Sequence, residues 1–161
     1  MAVDIFIKIG SVQGEAKDQA HKNEIDVLHW SWSMHNSGGA HATGGQGSGK
    51  VNVSDLSFTK WVDKSSPDLM LACCNGKHFP EATLTVRKAG EHPLEYLVIK
   101  MKNLIVSSVT AGGSGSEDRL TENVTLNFST VNVTYKEQLE TGGAGASPTM
   151  GWDIAANTHA S

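Results

Sequence analysis

Apolar and polar residues alternate along most of the chain with a period of two. In residues 3–9 every odd position is Val or Ile, and Asp4 and Lys8 stand between them. This alternation is typical of a β-strand that buries one face. It predicts six strands in all, and the other five are placed at residues 25–34, at 51–58, around Leu84 and Val86, at 95–109 and at 122–136.

Three of these strands change the face on which their apolar residues fall. From Val27 onward, for example, the apolar positions shift by one residue to Leu28 and Trp30. Such a shift requires a β-bulge or a strand that changes its buried face. Long strands with these shifts allow a sheet to curl and close on itself. The predicted fold is therefore mainly β, either a curled six-stranded β-barrel or a two-sheet domain.

One short helix is predicted among the strands. Ser66 can act as its N-cap, and Pro67 fits the first helical position because that position needs no amide hydrogen. Asp68 suits the positive end of the helix dipole. A run of apolar residues follows, and Gly76 can adopt the left-handed conformation that ends a helix. We expect this helix to plug or flank the barrel.

Three glycine-rich segments are predicted to be loops. They are an extended loop at residues 38–49, a shorter one at 111–116 and a flexible one at 141–148. The chain has 161 residues, of which 39% are hydrophobic, and it contains no internal repeat. Residues 1–161 are therefore expected to form a single domain.

Composition narrows the range of partners. The net charge is −4 and no segment concentrates Lys and Arg, so we expect no nucleic-acid partner. No apolar run approaches the roughly 20 residues that span a bilayer, so we expect no membrane partner. Asp4 and Lys8 interrupt the first apolar stretch, which argues against a signal peptide and for folding in the cytoplasm. The adjacent Cys73 and Cys74 are expected to be reduced thiols on a partly buried segment.

One motif approaches a nucleotide site without completing it. Residues 44–50 supply the glycines and the lysine of a phosphate-binding loop. Val51, however, stands where Ser or Thr would bind magnesium, and a strand follows in place of a helix. We expect no nucleotide cofactor.

Other candidate chemistry is equally incomplete. The seven histidines lack metal-ligand spacing and are expected to be solvated. The serines form no nucleophile elbow. Glu117, Asp118 and Glu122 could be imagined as glycosidase carboxylates, but they are better explained by ion pairing with the nearby Arg119. We therefore predict no enzyme activity, no metal and no cofactor.

Strand edges offer a different function. A small curled β domain must cover its unpaired backbone groups or use them to join other copies. A head-to-tail contact whose rotation closes gives a ring. A monomeric carbohydrate- or protein-binding β module would show the same alternation, so the pattern leaves both possibilities open.

The order of motifs along the chain resembles the haemolysin-coregulated protein (Hcp) family, whose members build the tube of the type VI secretion system. The strongest match is Gly113-Ser114-Gly115 followed by Glu117-Asp118-Arg119-Leu120-Thr121-Glu122. Further matching segments are residues 1–9, 14–18, 24–27, 30–32, 49–51, 56–60, 76–78, 123–126 and 151–152.

The resemblance implies a structural protein without catalysis and without the extra toxin domain of some relatives. It implies a homohexameric ring, stacking of rings into a tube inside a contractile sheath, a spike protein at the tip, and effector cargo held in the lumen and exported without a signal peptide. The loop at residues 38–49 is similar to the family segment that reaches a neighbouring subunit or ring, and Ser31 is expected to face the lumen. Subunit or ring contacts are expected at Gly44, Gly45, Gly47, Gly49, Lys50, Ser114 and Glu117.

Overall fold

The computed structural model describes residues 2–37, 50–141 and 143–161. Within these ranges the chain forms ten strands and one helix. Their bounds are β1 Val3–Ile9, β2 Ile25–Ser31, β3 Met34–Asn36, β4 Val51–Val53, β5 Leu56–Trp61, α1 Ser66–Asn75, β6 His78–Lys88, β7 Glu95–Gly112, β8 Thr121–Tyr135, β9 Thr149–Asp153 and β10 Thr158–His159.

Six strands close into a barrel in the order β8-β5-β2-β1-β6-β7, and β7 pairs back onto β8. All neighbours in this ring are antiparallel. The predicted curled six-stranded barrel with one short helix is therefore confirmed. The short strands at the margins were not predicted: β9 and β10 extend the sheet beyond β8, and β3 pairs with β4 as a separate two-stranded ribbon. The pair β3–β4 is called the ribbon below.

The predicted phase shifts have identifiable structural causes. The pairing of β2 with β5 contains a bulge between Val27 and His29, where the sequence changes phase. The two predicted strands at 25–34 and 51–58 each divide in two, and this corrects the sequence prediction. They divide because Ser33 and Ser54 hydrogen-bond across the junction, with Ser54 N donating to Ser33 O at 2.9 Å and Ser33 N to Ser54 Oγ at 2.9 Å. Beyond this junction, β3 and β4 leave the barrel together as the ribbon.

The helix α1 begins and ends close to the predicted residues, with one correction at its start. The N-cap position is occupied by Ser65, which makes no side-chain capping bond. Ser66 is buried, and its hydroxyl turns inward to bind Lys60 and Glu122. Gly76 ends the helix at φ 67°, as predicted. The helix packs on β7, and its buried Leu69 joins the core.

The alternating apolar residues form one continuous core inside the barrel. Its fully buried members include Ile7, Phe58, Leu84, Met101 and Leu126, one from each of five barrel strands. Burying a side chain of this size contributes about 1.5–3 kcal/mol. The strands of the barrel are thus fixed by their inward faces, and their outward faces remain free to serve function.

The three predicted loops compare differently with the structure. Residues 38–49 lie outside the described part of the chain. The strand β7 extends to Gly112, so the 111–116 loop starts two residues later than predicted. In the 141–148 segment, Gly143 O accepts the amide of Leu139 at 2.9 Å and Ala146 O accepts that of Glu137 at 2.9 Å. The flexibility of this segment and the single-domain boundary 1–161 stay predictions.

Candidate functional site

One outward surface of the barrel is made of small hydrogen-bonding side chains. Ser31 is exposed at the end of β2 and lies opposite Ser57 on β5, which lies opposite Thr125 on β8. The hydroxyls of Ser57 and Thr125 are 3.2 Å apart, and Thr59 Oγ1 donates to Asn123 Oδ1 at 2.5 Å. These five residues are called the hydroxyl face. None of these five side chains is charged.

A cleft of about 270 Å³ opens where the hydroxyl face meets the ribbon. It is lined by Ser31, Trp32, Ser33, Ser54, Asp55 and Ser57. Asp55 lies between β4 and β5, and neutral donors from two other strands fix its carboxylate. Asn127 Nδ2 donates to Oδ1 and Ser107 Oγ donates to Oδ2, both at 2.8 Å. Sequence reasoning missed this residue, because it lies in a two-residue connection with no periodic pattern.

A second, apolar cavity lies between the ribbon and β9. Its volume is about 400 Å³. Its apolar lining is Trp32, Met34, Val51, Val53, Val131, Met150 and Trp152, and Asn36, Lys50 and Asn157 add polar groups. The indole nitrogen of Trp152 is buried and has no hydrogen-bond partner. Lys50 is exposed and stands directly before β4, which agrees with the prediction that a strand follows the glycine-rich loop.

The other predicted contact residues lie elsewhere. Ser114 and Glu117 are exposed in the turn between β7 and β8, where Glu117 N donates to Ser114 O at 3.0 Å. Among the described residues, no hydrogen bond or ion pair connects this turn to Lys50. The four glycines Gly44, Gly45, Gly47 and Gly49 fall outside the described ranges. The contact roles of all these residues, and the lumen role of Ser31, stay predictions.

A buried ionic cluster holds the start of α1 against the barrel. Lys60 and Glu122 are both fully buried and form an ion pair. Lys60 Nζ also lies 3.0 Å from Asp63 Oδ1, and Ser66 Oγ donates to Glu122 Oε1 at 2.6 Å. Glu122 has the structural ion-pair role that was predicted for it, but its partner is Lys60 and not the nearby Arg119. Glu122 points inward, whereas the guanidinium of Arg119 lies 4.6 Å from the half-buried ring of Trp61.

The sequence contains a signal for this cluster that the prediction did not use. Lys60 follows Leu56 and Phe58 at intervals of two, so the strand period alone places its side chain on the buried face. Glu122 likewise precedes Val124 and Leu126 in the inward phase. A lysine and a glutamate in the inward phase of paired strands indicate a buried pair, because an isolated buried charge is too costly.

A second polar cluster covers the outer face of β1. The ring of Phe6 stacks on that of His21 at 4.5 Å, and the guanidinium of Arg87 lies 5.0 Å from the centroid of the same Phe6 ring. His21 is buried, with Nδ1 at 2.8 Å from Glu24 and Nε2 at 2.6 Å from Glu95. The expectation of solvated histidines was therefore wrong for His21. These contacts fasten the segment that connects β1 and β2 to the barrel wall.

Three ionisable groups near this segment have shifted pKa values. The hydrogen bond from Arg87 lowers the pKa of Asp18 below its ordinary value of 3.8, and the same bond raises the pKa of Arg87. Burial raises the pKa of Asp26. The Asp18 interaction stabilises the ionised form, whereas the site of Asp26 disfavours it.

Two kinds of feature are absent from the described residues, a metal-binding group and a membrane-spanning helix. These residues contain no group of three or more His, Cys, Asp or Glu arranged to hold a metal ion. No helix in the same ranges has the length and apolar character needed to cross a membrane. Cys73 is half-buried and Cys74 exposed, and both are free thiols, as predicted.

Comparisons with known proteins agree on one family. Residues 6–135 match the family described as "Type VI secretion system effector, Hcp". The chain is 60% identical to Protein hcp1 of Pseudomonas aeruginosa over 162 residues, covering 99% of this chain and 100% of that protein.

Solved structures give the same result. The chain is similar to Hcp1 of Salmonella typhimurium, with 43% identity, a TM-score of 0.82 and coverage of 99% and 100% of the two chains. It is also similar to a structure described as a type six secretion system protein, with 31% identity, a TM-score of 0.92 and the same coverage. The chain belongs to the Hcp family of secreted type VI secretion system proteins.

Proposed function

We propose that this chain is the ring-forming tube subunit of a type VI secretion system. Six copies would close into a ring, and rings would stack into a tube that is exported from the cytoplasm. The single observation that carries this proposal is the similarity to a type six secretion system protein over 99% of the chain at a TM-score of 0.92. That similarity favours a tube subunit over a monomeric carbohydrate- or protein-binding module.

The distribution of unpaired backbone supports assembly at particular places. Closure of the barrel leaves its six strands without a free edge. The ribbon is a sheet of its own outside the barrel. Among the described residues, β10 covers β9 from Gly151 to Asp153 and leaves the edge at Thr149 and Met150 without a neighbouring strand. An exposed edge of this kind invites pairing with another chain. We therefore propose contacts between copies at β9, the ribbon and its 38–49 loop, with a further contact at Ser114 and Glu117.

The hydroxyl face supports a lumen role for Ser31. A conduit for varied cargo is best lined by groups that hydrogen-bond without strong charge, and the outward side chains of β2, β5 and β8 around Ser31 meet this requirement. On this proposal the hydroxyl face contacts effector cargo, the outer surface of the tube meets a contractile sheath, and a spike protein sits at the tube end. Neither catalysis nor a cofactor is part of the proposed role.

Ring formation is tested by the mass of the protein in solution. Light scattering after size exclusion should give six times the 17.1 kDa of one chain, about 103 kDa. Negative-stain images should show rings with an open centre. A purely monomeric species at high protein concentration, together with a clear hit on a glycan array, would instead favour the binding module.

Stacking is tested by a charge in the glycine-rich loop. The variant Gly47→Glu should weaken the association of rings into tubes while it leaves the thermal midpoint of a ring unchanged. Gly143→Glu is the matched control, because a side chain at Gly143 meets nothing within 4 Å. Equal tube formation by the two variants would remove the loop from the stacking contact.

The lumen role of Ser31 is tested by Ser31→Gln. This change adds bulk to the exposed end of β2 and should reduce cargo retention more than ring formation. Equal cargo retention by Ser31→Gln and the unmodified protein would mean that Ser31 makes no lumen contact.

A hydrolase that uses Glu117 or Asp118 is the third possibility, and it would require an activity that disappears when either residue is replaced.

A further inference from the structure

Asp55 is an acidic side chain whose side-chain partners among the described residues are neutral. Within residues 2–37, 50–141 and 143–161, the ion pairs do not include it. Its two hydrogen-bond donors, Ser107 and Asn127, are both neutral. An ionised carboxylate offers about four acceptor positions, and these donors occupy two of them. The remaining positions are available to a ligand.

The two donors also fix the direction of the carboxylate. Ser107 lies at the bulge in β7, where the pairing with β8 shifts between Val106 and Ser108, and its hydroxyl reaches both Asp55 and the carbonyl of Thr125. Asn127 stands on β8. A carboxylate that two rigid barrel strands hold loses little side-chain entropy when it binds a cation.

The rest of the cleft supplies an aromatic ring and hydroxyls in fixed positions. The indole nitrogen of Trp32 donates to Ser54 O at 2.9 Å, which sets the orientation of the ring. The hydroxyl of Ser54 accepts from Ser33 N and donates to Asp55 O at 3.1 Å. Guanidinium groups bind carboxylates through two parallel bonds and stack on aromatic faces, whereas an ammonium ion makes neither planar contact.

We propose that this cleft binds an arginine side chain, with Asp55 as counter-ion and Trp32 as stacking surface. The cleft volume of about 270 Å³ accommodates one guanidinium and its neighbouring methylenes. Because the adjoining hydroxyl face is uncharged, Asp55 gives this wall one charged anchor. The inference rests on the proposed function in one respect, namely that the arginine belongs to a segment of protein cargo that passes along the wall.

Binding is tested with Nα-acetyl-arginine methylamide, and the neutral citrulline analogue serves as the matched probe. The protein carries four tryptophans, so labelling them with ¹⁵N gives four indole signals, and Trp32→Phe identifies the one that reports on the cleft. The arginine probe should shift the Trp32 signal with a Kd on the order of millimolar, as expected for one exposed ion pair with stacking. The Kd of the citrulline probe should be about fivefold higher, because an exposed ion pair contributes no more than about that factor.

The variant Asp55→Asn keeps the shape of the side chain and removes its charge, so it should raise the Kd for the arginine probe about fivefold. Asp118→Asn is the control, since Asp118 is an exposed acid outside the cleft; its Kd should stay within twofold of the unmodified protein. Unchanged arginine binding by Asp55→Asn, or a response at an indole other than Trp32, would overturn the inference. So would loss of the ring mass in Asp55→Asn, because Asp55 would then be a contact between subunits.

The two proposals fail in distinguishable ways. Rings that form but do not respond to the arginine probe would refute the cleft and leave the tube subunit intact. Protein that binds arginine at Trp32 but never forms rings would refute the tube subunit and limit the cleft to a peptide-binding site.

Discussion

The buried pair Lys60–Glu122 provides a quantitative test of how the barrel is held together. In the variant Lys60→Met, the Glu122 carboxylate stays fully buried but loses its cation and keeps one donor, the hydroxyl of Ser66. One of its oxygens, Oε2, already lacks a hydrogen-bond partner. Breaking a buried pair in this way costs about 3–5 kcal/mol. We expect Lys60→Met to lower the free energy of unfolding by that amount.

Removing the other partner should cost less. In Glu122→Gln the lysine retains Asp63, whose Oδ1 lies 3.0 Å from Nζ, and the amide can still accept from Ser66. The expected loss is about 1–3 kcal/mol, the cost of an impaired buried hydrogen bond. The double variant Lys60→Met with Glu122→Gln leaves neither charge of the pair, so its loss should be smaller than the sum of the two single losses. Recovery should be partial, because Asp63, whose side chain is 6% exposed, still lacks the lysine.

The assay is equilibrium urea unfolding followed by tryptophan fluorescence. Urea is preferred because guanidinium would screen the charges, and protein concentration is held constant because assembly adds to apparent stability. Glu91→Gln, at an exposed acid with no proposed contact role, is the control and should change stability by less than about 0.5 kcal/mol. If the double variant is as unstable as the sum of its single changes, the charges are not coupled and the reasoning is refuted.

Three further predictions concern charge and backbone. Asp18→Asn should lower the thermal midpoint at neutral pH, because the hydrogen bond from Arg87 lowers the pKa of Asp18 in the folded state. The stabilisation from ionised Asp18 is therefore present above pH 3.8 and is lost as the pH falls through the lower folded pKa. A midpoint difference that persists in stronger acid would contradict this. Asp26→Asn should raise the thermal midpoint at neutral pH, since burial raises the pKa of this carboxyl and its ionised form therefore destabilises the fold. Well below pH 3.8 the substitution should have no effect. A lower midpoint at neutral pH would contradict this and would indicate that ionised Asp26 has a stabilising partner. Gly14→Ala should lower the free energy of unfolding by about 1–3 kcal/mol, because the added Cβ would overlap the backbone carbonyl of Glu24. Gly115→Ala is the control: its Cβ would meet nothing within 4 Å, so it should leave stability unchanged in the same urea titration.

Local sequence rules predicted the helix and the inward faces of the strands correctly, because these features depend on neighbouring residues. The period of two fixed the inward residues of β1, β5 and β8, and Pro67 and Gly76 bounded α1. The N-cap was wrong by one residue. Ser66 satisfies the rule for a capping residue, but the buried charges of Lys60 and Glu122 attract its hydroxyl more strongly than the free amides of the helix do.

The candidate sites were far less accessible to sequence reasoning. Ser31 was selected by resemblance, and only strand pairing brings Ser57 beside Ser31 and Thr125 beside Ser57. Asp55 meets Ser107 and Asn127 across 52 and 72 positions of the chain. No spacing rule reports such distances. The same holds for His21, whose partner Glu95 lies 74 positions away.

The sequence by itself determined that this is a β protein with one short helix, where its strands change phase, and to which family it belongs. These properties follow from periodicity, from the φ preferences of proline and glycine, and from ordered motifs, all of which are local in the chain. Only the tertiary structure decided that β7 closes onto β8, that the ribbon leaves the barrel, and that a lone carboxylate faces a cleft beside a tryptophan. Those features depend on which strands pair, and pairing is set by the burial of all inward faces at once.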